Sequence, residues 1–320
     1  MAEGTHPYLL VSEKLISQFG VAVVIMCENL GRRYGDVWAL KGVSFEVGKG
    51  VVAGVLGPNG AGKTTLVRIL TTELMPSEGS ALVAGLDVVK EAEKVRRVIA
   101  AVPQEARPID FLTPYEFVYS YLLLRGYPRR EAKRRAEEAL KTFGLWEVRD
   151  REIDTLSGGM KRRVLVASVF AADVDVVFLD EPTTGLDVYS RRVVWNAVSE
   201  MKRRGVAVLL TTHYVEEAAA LSDVVVVINR GRVVDIAPPG ALVEKVPGRY
   251  VVEVYGADGA VAESRARIKI GDRVLYYVDS PPPLAEPRRA KIVVRPKSLE
   301  DYILIKVGEV EGGEEGYEDN

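Results

Sequence analysis

A glycine-rich loop, Gly57 to Thr64, has residue types and a spacing suited to binding phosphate groups. Its sequence fits the pattern G-x-x-x-x-G-K-[ST] and lies between a predicted strand and a predicted helix. Glycines leave backbone N–H groups open to an anion, and the helix directs its positive N-terminal end towards the same anion. Lys63 can reach the β- and γ-phosphates of a nucleoside triphosphate, and Thr64 offers a hydroxyl to Mg²⁺. The predicted binding residues are Gly57, Pro58, Asn59, Gly60, Ala61, Gly62, Lys63, Thr64 and Thr65.

A second motif ends an apolar run with two acidic residues. Val174–Leu179 is typical of a strand buried on both faces, and Asp180 and Glu181 follow it directly. Such a strand delivers carboxylates to the edge of a sheet where α/β proteins bind ligands. Asp180 is then placed to hold Mg²⁺, directly or through water, and Glu181 to deprotonate a water that attacks the γ-phosphate. An apolar strand that ends in Asp-Glu is common by itself, but the two motifs together are typical of a P-loop NTPase.

The elements that must position these residues alternate between strands and helices. This alternation indicates an α/β fold with a mainly parallel sheet. The predicted strands are Val21–Cys27, Val43–Val47, Val51–Leu56, Ser80–Ala84, Val98–Val102, Val174–Leu179, Val206–Thr211 and Val224–Ile228. The predicted helices are Lys63–Glu73, a helical region over 114–143, one that begins at Ser157, Tyr189–Arg203 and Val215–Leu221.

Composition changes along the chain predict four segments. Residues 1–20 show no clear period and are expected to be a loose extension, and 21–240 hold the nucleotide-binding domain. A Pro-Pro-Gly cluster at 238–240 marks a boundary, beyond which short β-like runs over 241–305 indicate a small α+β domain. The acidic tail over 306–320 is expected to be disordered.

The overall composition excludes several other classes of protein. The chain has 320 residues, of which 48% are hydrophobic and 28% charged, as expected of a soluble globular protein. A net charge of −2 gives no reason to expect nucleic acid as a partner. One cysteine and two histidines are too few for a disulfide framework or for a multi-Cys or multi-His metal site. The longest apolar runs are far shorter than the roughly 20 residues that a membrane span needs.

A third motif identifies the kind of NTPase. Leu156-Ser-Gly-Gly-Met160 precedes a basic helix, and here the chain resembles the ATP-binding cassette (ABC) family, from about Val23 to Ala241. The family's signature is Leu-Ser-Gly-Gly-Gln, from which Met160 departs. A serine at a helix N-cap followed by two bare glycine N–H groups makes a second anion site. The resemblance implies that Ser157, Gly158 and Gly159 bind the γ-phosphate of an ATP held by the opposite subunit.

Further positions match the family in the same order along the chain. Tyr34 resembles the aromatic residue on which adenine stacks, and Gln104 the glutamine that senses Mg²⁺ and the attacking water. Asp187 lies in a loop that resembles the one crossing between subunits, although Val188 replaces the usual proline. His213 resembles the histidine that contacts the γ-phosphate. The implied catalytic residues are Glu181 and His213, and the implied metal ligands are Thr64, Gln104 and Asp180.

The resemblance also implies a fold, a working unit and partners. The fold is that of an ABC nucleotide-binding domain: a P-loop core with a mainly parallel sheet, an antiparallel β subdomain and a helical subdomain, followed here by the small α+β appendix. ATP and Mg²⁺ bind between two nucleotide domains arranged head to tail, and a homodimer is expected. Hydrolysis resets a separate multi-spanning membrane permease. The subunit is then cytoplasmic and peripheral on the inner face of the cell membrane.

The sequence leaves alternatives open for the transporter subfamily and for the process that ATP hydrolysis serves. The basic run after Met160 and the sequence Pro296–Tyr302 most resemble exporter-type subunits of multidrug and sodium efflux systems. The rival hypothesis is a soluble ABC ATPase of a non-transport process, such as metal-cluster assembly. A nucleotide-binding switch that does not hydrolyse ATP is disfavoured by Glu181. An aromatic-rich segment, Arg107 to Gly126, is predicted to be where a membrane partner docks.

Overall fold

The computed structural model describes residues 22–256, 264–281 and 291–307. The chain divides into two compact units, one ending at Ile236 and the other beginning at Ala237. This division falls slightly before the predicted boundary after residue 240, because a short helix that begins at Pro239 belongs to the second unit. The predicted extension over 1–20 lies outside the described residues, as do residues 308–320 of the predicted acidic tail.

The first unit holds ten strands and seven α-helices within its described residues. Its strands are β1 (Val23–Tyr34), β2 (Val37–Gly48), β3 (Val52–Leu56), β4 (Glu78–Val83), β5 (Leu86–Asp87), β6 (Ile99–Val102), β7 (Val176–Asp180), β8 (Ala207–Thr212), β9 (Val224–Asn229) and β10 (Arg232–Ala237). Its helices are α1 (Lys63–Leu70), α2 (Ala92–Val98), α3 (Pro114–Leu124), α4 (Arg129–Thr142), α5 (Gly158–Ala171), α6 (Val188–Arg203) and α7 (Val215–Leu221).

The six-stranded sheet at the centre of this unit has the order β10-β9-β3-β8-β7-β6. Strand β3 pairs in parallel with β8 and β9, and β7 pairs in parallel with β6 and β8. Every residue of β3, β7 and β8 is buried, as their continuous apolar runs predict. Leu56, Asp180 and Thr212 therefore end neighbouring strands, and the loops that follow them leave from one edge of the sheet.

A separate antiparallel sheet has the order β2-β1-β4-β5. Strand β1 extends well beyond the predicted end at Cys27, because irregularities of register near Leu30 let it bend and continue its pairing with β2. Its last residue, Tyr34, pairs with Val37 across a tight turn. The predicted tyrosine of the site thus lies at the end of a strand.

The predicted helical region over 114–143 is two helices, α3 and α4, rather than one. Helix α3 begins with a capping box between Thr113 and Glu116. It ends before Gly126, whose φ of +86° is left-handed, and Pro128 then prevents helical continuation from the other side. Helices α3, α4 and α5 pack on each other around apolar residues that include Val118, Leu140 and Val166.

The described residues of the second unit form a four-stranded antiparallel sheet and two helices. Its elements are α8 (Pro239–Glu244), β11 (Tyr250–Tyr255), β12 (Ala266–Ile270), β13 (Arg273–Val278), β14 (Lys291–Pro296) and α9 (Leu299–Val307), and the strand order is β12-β13-β11-β14. The proline cluster that predicted a boundary here begins helix α8, because proline fits the first turn of a helix.

A buried charged cluster fixes α9 to the sheet of the second unit. Asp301 is fully buried and accepts hydrogen bonds from both terminal nitrogens of Arg295, at 2.7 and 2.8 Å, and from the backbone N–H of Ser298. Arg295 Nε also donates to Glu253 Oε1 at 2.6 Å. Burial alone would raise the pKa of Asp301, but the hydrogen bonds from Arg295 and Ser298 hold it below its usual value.

We expect Asp301→Asn to destabilise the second unit by about 3 kcal/mol, because it leaves the Arg295 guanidinium partly buried with a weaker partner. Amide hydrogen exchange should rise in β11 and β13 and stay unchanged in β3 and β8. Because the pKa of Asp301 is lowered in the fold, its contribution is complete above the unfolded pKa and is lost as pH falls through the folded one. Glu300→Gln, on the exposed side of α9, is the control, and equal exchange in both variants would contradict this role.

Candidate functional site

The glycine-rich loop connects β3 to α1 and holds Lys63 in a fixed position. The Lys63 side chain is only 5% exposed, and its Nζ donates to the carbonyl oxygens of Gly57 at 2.8 Å and Pro58 at 3.0 Å. The ammonium group therefore lies within the curve of the loop. Burial lowers the pKa of Lys63 below its usual value, and the nearby carboxylates of Glu181 and Asp180 only partly offset that shift.

Close packing explains why glycines are required in this loop. A Cβ at Gly57 would clash with the carbonyl oxygen of Ile228 on β9. A Cβ at Gly62 would clash with the carbonyl oxygen of Ala39, and Gly62 has a φ of +104° that favours glycine. Gly62 is also the N-cap of α1, where no side chain caps the helix and the first turn holds no acidic residue. The N–H groups of that turn fit an anion.

Three oxygen-bearing side chains converge beside the loop. Thr64 Oγ1 lies 3.3 Å from Gln104 Oε1 and also hydrogen-bonds Asp180. Asp180 is 1% exposed and accepts a hydrogen bond from the Thr211 hydroxyl. Burial raises the pKa of Asp180, and the hydrogen bonds from Thr211 and Thr64 act against that rise. Hydroxyl, amide and carboxylate oxygens are the ligands that Mg²⁺ prefers, so this set fits the ion.

The described residues contain no group of three or more His, Cys, Asp and Glu side chains that could hold a metal ion. A cation at this place would therefore depend on the hydroxyl of Thr64 and the amide of Gln104 as well as on Asp180. Such a partial protein shell is usual for Mg²⁺, which keeps several waters and takes further ligands from phosphates.

The backbone of Glu181 has an uncommon conformation at the end of β7. Its φ of +48° lies in the left-handed region, which is rare for a glutamate. Its N–H donates to both the carbonyl oxygen and the hydroxyl of Thr211, at 3.2 and 3.0 Å. These hydrogen bonds to the neighbouring strand hold the turn, and the turn directs the carboxylate towards the glycine-rich loop.

The side chain of Glu181 is 6% exposed and is surrounded by polar groups. Oε1 lies 3.7 Å from Lys63 Nζ and 3.3 Å from His213 Nδ1, and Oε2 accepts from Gln104 Nε2 at 3.2 Å and from Thr184 Oγ1 at 3.1 Å. The structure thus brings together the predicted residues Lys63, Gln104, Glu181 and His213. A base at this point can be oriented by neutral donors while Lys63 balances its charge.

The predicted signature residues form a separate local structure. Ser157 is the N-cap of α5, where its Oγ accepts from the N–H of Met160 at 3.2 Å. Gly158 has open space where a Cβ would be, whereas a Cβ at Gly159 would meet Ser190 Oγ at 3.1 Å. Among the hydrogen bonds of the described residues, none joins Ser157 to the glycine-rich loop.

Asp187 and Tyr34 also lie apart from the Glu181 cluster. Asp187 caps α6, where hydrogen bonds from the backbone N–H and the hydroxyl of Ser190 lower its pKa. Tyr34 is 45% exposed, and the guanidinium of Arg32 lies 4.9 Å from its ring centre. An exposed ring of this kind is open to stacking by a flat ligand.

Sequence reasoning gave no role to Thr184 or to the hydroxyl of Thr211. Both hydrogen-bond to the carboxylate pair that ends β7, one to Glu181 and the other to Asp180. Thr211 could have been found from its place, since it is the penultimate residue of a buried parallel strand beside β7 and needs a polar partner there. No pattern in the sequence singles out Thr184.

Comparisons with known proteins identify the family. A family model described as ABC transporter matches residues 40–184. A daunorubicin resistance ATP-binding protein of Streptomyces coeruleorubidus is 38% identical over 305 residues, which cover 89% of this chain and 95% of that protein. This chain belongs to the ABC transporter ATP-binding proteins. A Nod factor export ATP-binding protein of Burkholderia orbicola is 36% identical and is matched over 95% of its length.

Other similarities cover less of the chain. A doxorubicin resistance ATP-binding protein of Mycobacterium tuberculosis is 46% identical over 200 residues, 62% of this chain, and the chain spans about 60% of that relative's length. A solved subunit of the ABC transporter complex cbiONQ from Clostridium perfringens is 30% identical with a TM-score of 0.63, covering 70% of this chain and 91% of that one. A solved dimeric bacterial ABC transporter cassette is 26% identical with a TM-score of 0.62, and the match covers 67% of this chain and 98% of that one. The ABC ATPase fold expected from the sequence is thus confirmed.

We expect Lys63→Ala to weaken ATP binding about 10- to 100-fold, because it removes the buried ammonium within the loop where the phosphates would bind. The dissociation constant can be measured with a fluorescent ATP analogue, and a thermal unfolding curve shows whether the fold is kept. Lys90→Ala removes an exposed lysine and is the control. Unchanged affinity in Lys63→Ala would mean that phosphates bind elsewhere.

Proposed function

We propose that this chain is the ATP-hydrolysing subunit of an ABC exporter. The observation that carries the proposal is the contact of Glu181 with Lys63, Gln104, Thr184 and His213 at the carboxyl edge of the parallel sheet. A buried carboxylate with these neighbours, next to a phosphate-binding loop, is what deprotonation of an attacking water needs.

Each residue has a distinct part in the proposed chemistry. The loop amides and Lys63 hold the phosphates, and Tyr34 offers an exposed ring to adenine. Mg²⁺ held by Thr64, Gln104 and Asp180 would neutralise phosphate charge. Glu181 accepts the proton of the attacking water. His213, whose Nδ1 lies 3.3 Å from the same carboxylate, adds a polar group towards the γ-phosphate.

The working unit proposed is a head-to-tail homodimer. Ser157 caps α5, and Gly158 and Gly159 begin it with backbone N–H groups. Among the described residues, no hydrogen bond joins Ser157 to the glycine-rich loop of the same chain. In a dimer, these groups would complete the ATP site of the partner subunit. Asp187 would lie in the loop that crosses from one subunit to the other. A solved relative that is a dimeric bacterial ABC transporter cassette supports a dimer.

Names of the relatives support export over the rival soluble process. The matched proteins include drug resistance and Nod factor export ATP-binding proteins. We therefore propose a separate multi-spanning permease as the partner and the cytoplasmic face of the cell membrane as the location. In the described residues, no helix is both long enough and apolar enough to cross a membrane. The alternative, an ATPase of metal-cluster assembly, is left without a specific supporting observation.

Glu181→Gln should lower the ATP turnover at least about 100-fold, because it removes the base while it keeps the size of the side chain. ATP binding should remain, and an ATP-dependent dimer should elute early in size-exclusion chromatography. Glu93→Gln, an exposed change on α2, should leave turnover unchanged. Hydrolysis by Glu181→Gln at the wild-type rate would refute the proposed role.

The aromatic-rich segment gives a test of the permease partner. Phe111 is 76% exposed, whereas Tyr115, Phe117, Tyr119 and Tyr121 pack against the core of the helical region. Phe111 is therefore the aromatic residue of this group that a partner can bury.

We expect Phe111→Ala to leave the basal ATPase rate nearly intact and to reduce co-purification of a multi-spanning permease from membranes. Met75→Ala is the control, since Met75 is 68% exposed and lies outside the segment from Arg107 to Gly126. If the wild-type chain retains no membrane protein, the transporter function fails and the soluble alternative replaces it.

A further inference from the structure

The guanidinium of Arg162 lies between the two segments that carry the catalytic side chains. Arg162 is in the first turns of α5 and was predicted only as part of a basic helix. Its guanidinium donates hydrogen bonds to five backbone carbonyl oxygens. Nη2 donates to the carbonyls of Asp180 at 2.8 Å and Glu181 at 3.1 Å, and Nε donates to that of Pro182 at 3.3 Å. Nη1 donates to the carbonyls of Pro103 and Gln104, each at 3.2 Å.

These five carbonyls belong to two segments that are far apart in sequence. Residues 103–104 follow β6, and residues 180–182 follow and end β7. The planar fork of a guanidinium can donate in several fixed directions at once, which lysine cannot do. Arg162 therefore fixes the distance between the two segments, and no other side chain among the described residues donates hydrogen bonds to both.

The partners of Arg162 are backbone groups rather than a carboxylate. Within 22–256, 264–281 and 291–307, no acidic side chain forms an ion pair with Arg162. Burial lowers the pKa of Arg162, and the negative charges of Asp180 and Glu181 act against that shift. The positive charge thus compensates the carboxylates at a distance, while the guanidinium hydrogen-bonds to backbone carbonyls and not to the carboxylate oxygens.

The turn after β7 is also held by Thr211, through the N–H of Glu181. Glu181 has a left-handed φ of +48°, and the hydrogen bond that closes the turn, from the N–H of Thr184 to the Glu181 carbonyl, is long at 3.4 Å. On the facing segment, the Gln104 side chain contacts Thr64 and Glu181. A small displacement of either backbone segment would separate Gln104 from Glu181.

We propose that Arg162 is a positioning residue for ATP hydrolysis, which aligns Glu181 and Gln104 by binding the backbone carbonyls of both segments. This inference rests on the proposed ATPase function. Arg162 contacts neither the glycine-rich loop nor Lys63 through its hydrogen bonds. Its removal should therefore change the chemical step much more than the binding of nucleotide.

The kinetic test uses the full-length chain and the variants Arg162→Gln, Arg162→Lys and Arg134→Gln. The last removes an exposed arginine of α4 and is the control for loss of charge. We expect Arg162→Gln to lower kcat about 10- to 100-fold while the dissociation constant of an ATP analogue changes less than about 3-fold. Arg162→Lys should recover part of the loss, because a lysine keeps the charge and some of the hydrogen bonds.

A double-mutant comparison separates positioning from general stability. If Arg162 acts through Gln104, Arg162→Gln should lower kcat much less in a Gln104→Ala background than in the wild type. Equal effects in both backgrounds would overturn the proposal, as would a kcat of Arg162→Gln within about 2-fold of wild type. A loss of kcat that is matched by loss of nucleotide affinity and of thermal stability would also overturn it, since it would indicate a structural role only.

Hydrogen exchange without nucleotide tests the same contact independently of activity. Arg162→Gln should raise exchange in residues 103–106 and 180–186 and leave β3 and β9 unchanged, and Arg134→Gln should change neither segment. If the wild-type chain hydrolyses no ATP, the proposed function fails, but this exchange comparison still decides whether Arg162 holds the two segments. Unchanged exchange in both segments would overturn the inference.

Discussion

Strand β7 ends in two adjacent buried carboxylates, and the arrangement of the site depends on how they are held. Asp180 is bound by the hydroxyl of Thr211 on the neighbouring strand, and the N–H of Glu181 is bound by the same threonine. Lys63, within the loop that follows β3, supplies the nearest side-chain ammonium at 3.7 Å from Glu181. Parallel pairing of β3, β8 and β7 brings these groups to one edge, because each loop leaves from the carboxyl end of its strand.

Much of the fold and of the site could be predicted because their signals are local in sequence. The glycine-rich loop and the apolar strand before Asp180 have patterns with few structural alternatives, and the structure brings Lys63, Gln104, Glu181 and His213 together. The prediction of one helical region over 114–143 was wrong, because it gave no weight to Gly126 and Pro128, which mark the break in the sequence itself. Arg162 could not be predicted, since nothing in the sequence distinguishes it from Lys161 and Arg163, and only tertiary packing shows which of them faces the two catalytic segments.

The signature segment shows how one local structure can serve two purposes. Ser157 caps α5 through the N–H of Met160, so the serine is already needed for the helix. Gly158 has no neighbour within contact distance of a Cβ position, so its backbone is open on that side. A helix start of this kind can stabilise its own chain and also present N–H groups to an anion held by a second chain. The departure at Met160 leaves this geometry intact, because the capping bond uses only the backbone of that residue.

The proposed site requires ATP to bind at the carboxyl edge of the parallel sheet and to be enclosed by a second copy of the chain. A structure of the Glu181→Gln chain with ATP and Mg²⁺, by crystallography or electron microscopy, tests it most directly. We predict phosphates within the loop from Gly57 to Thr64, the cation among Thr64, Gln104 and Asp180, and Ser157 of the second copy against the γ-phosphate. A nucleotide bound elsewhere, or one whose γ-phosphate is contacted by Ser157 of the same chain, would contradict it.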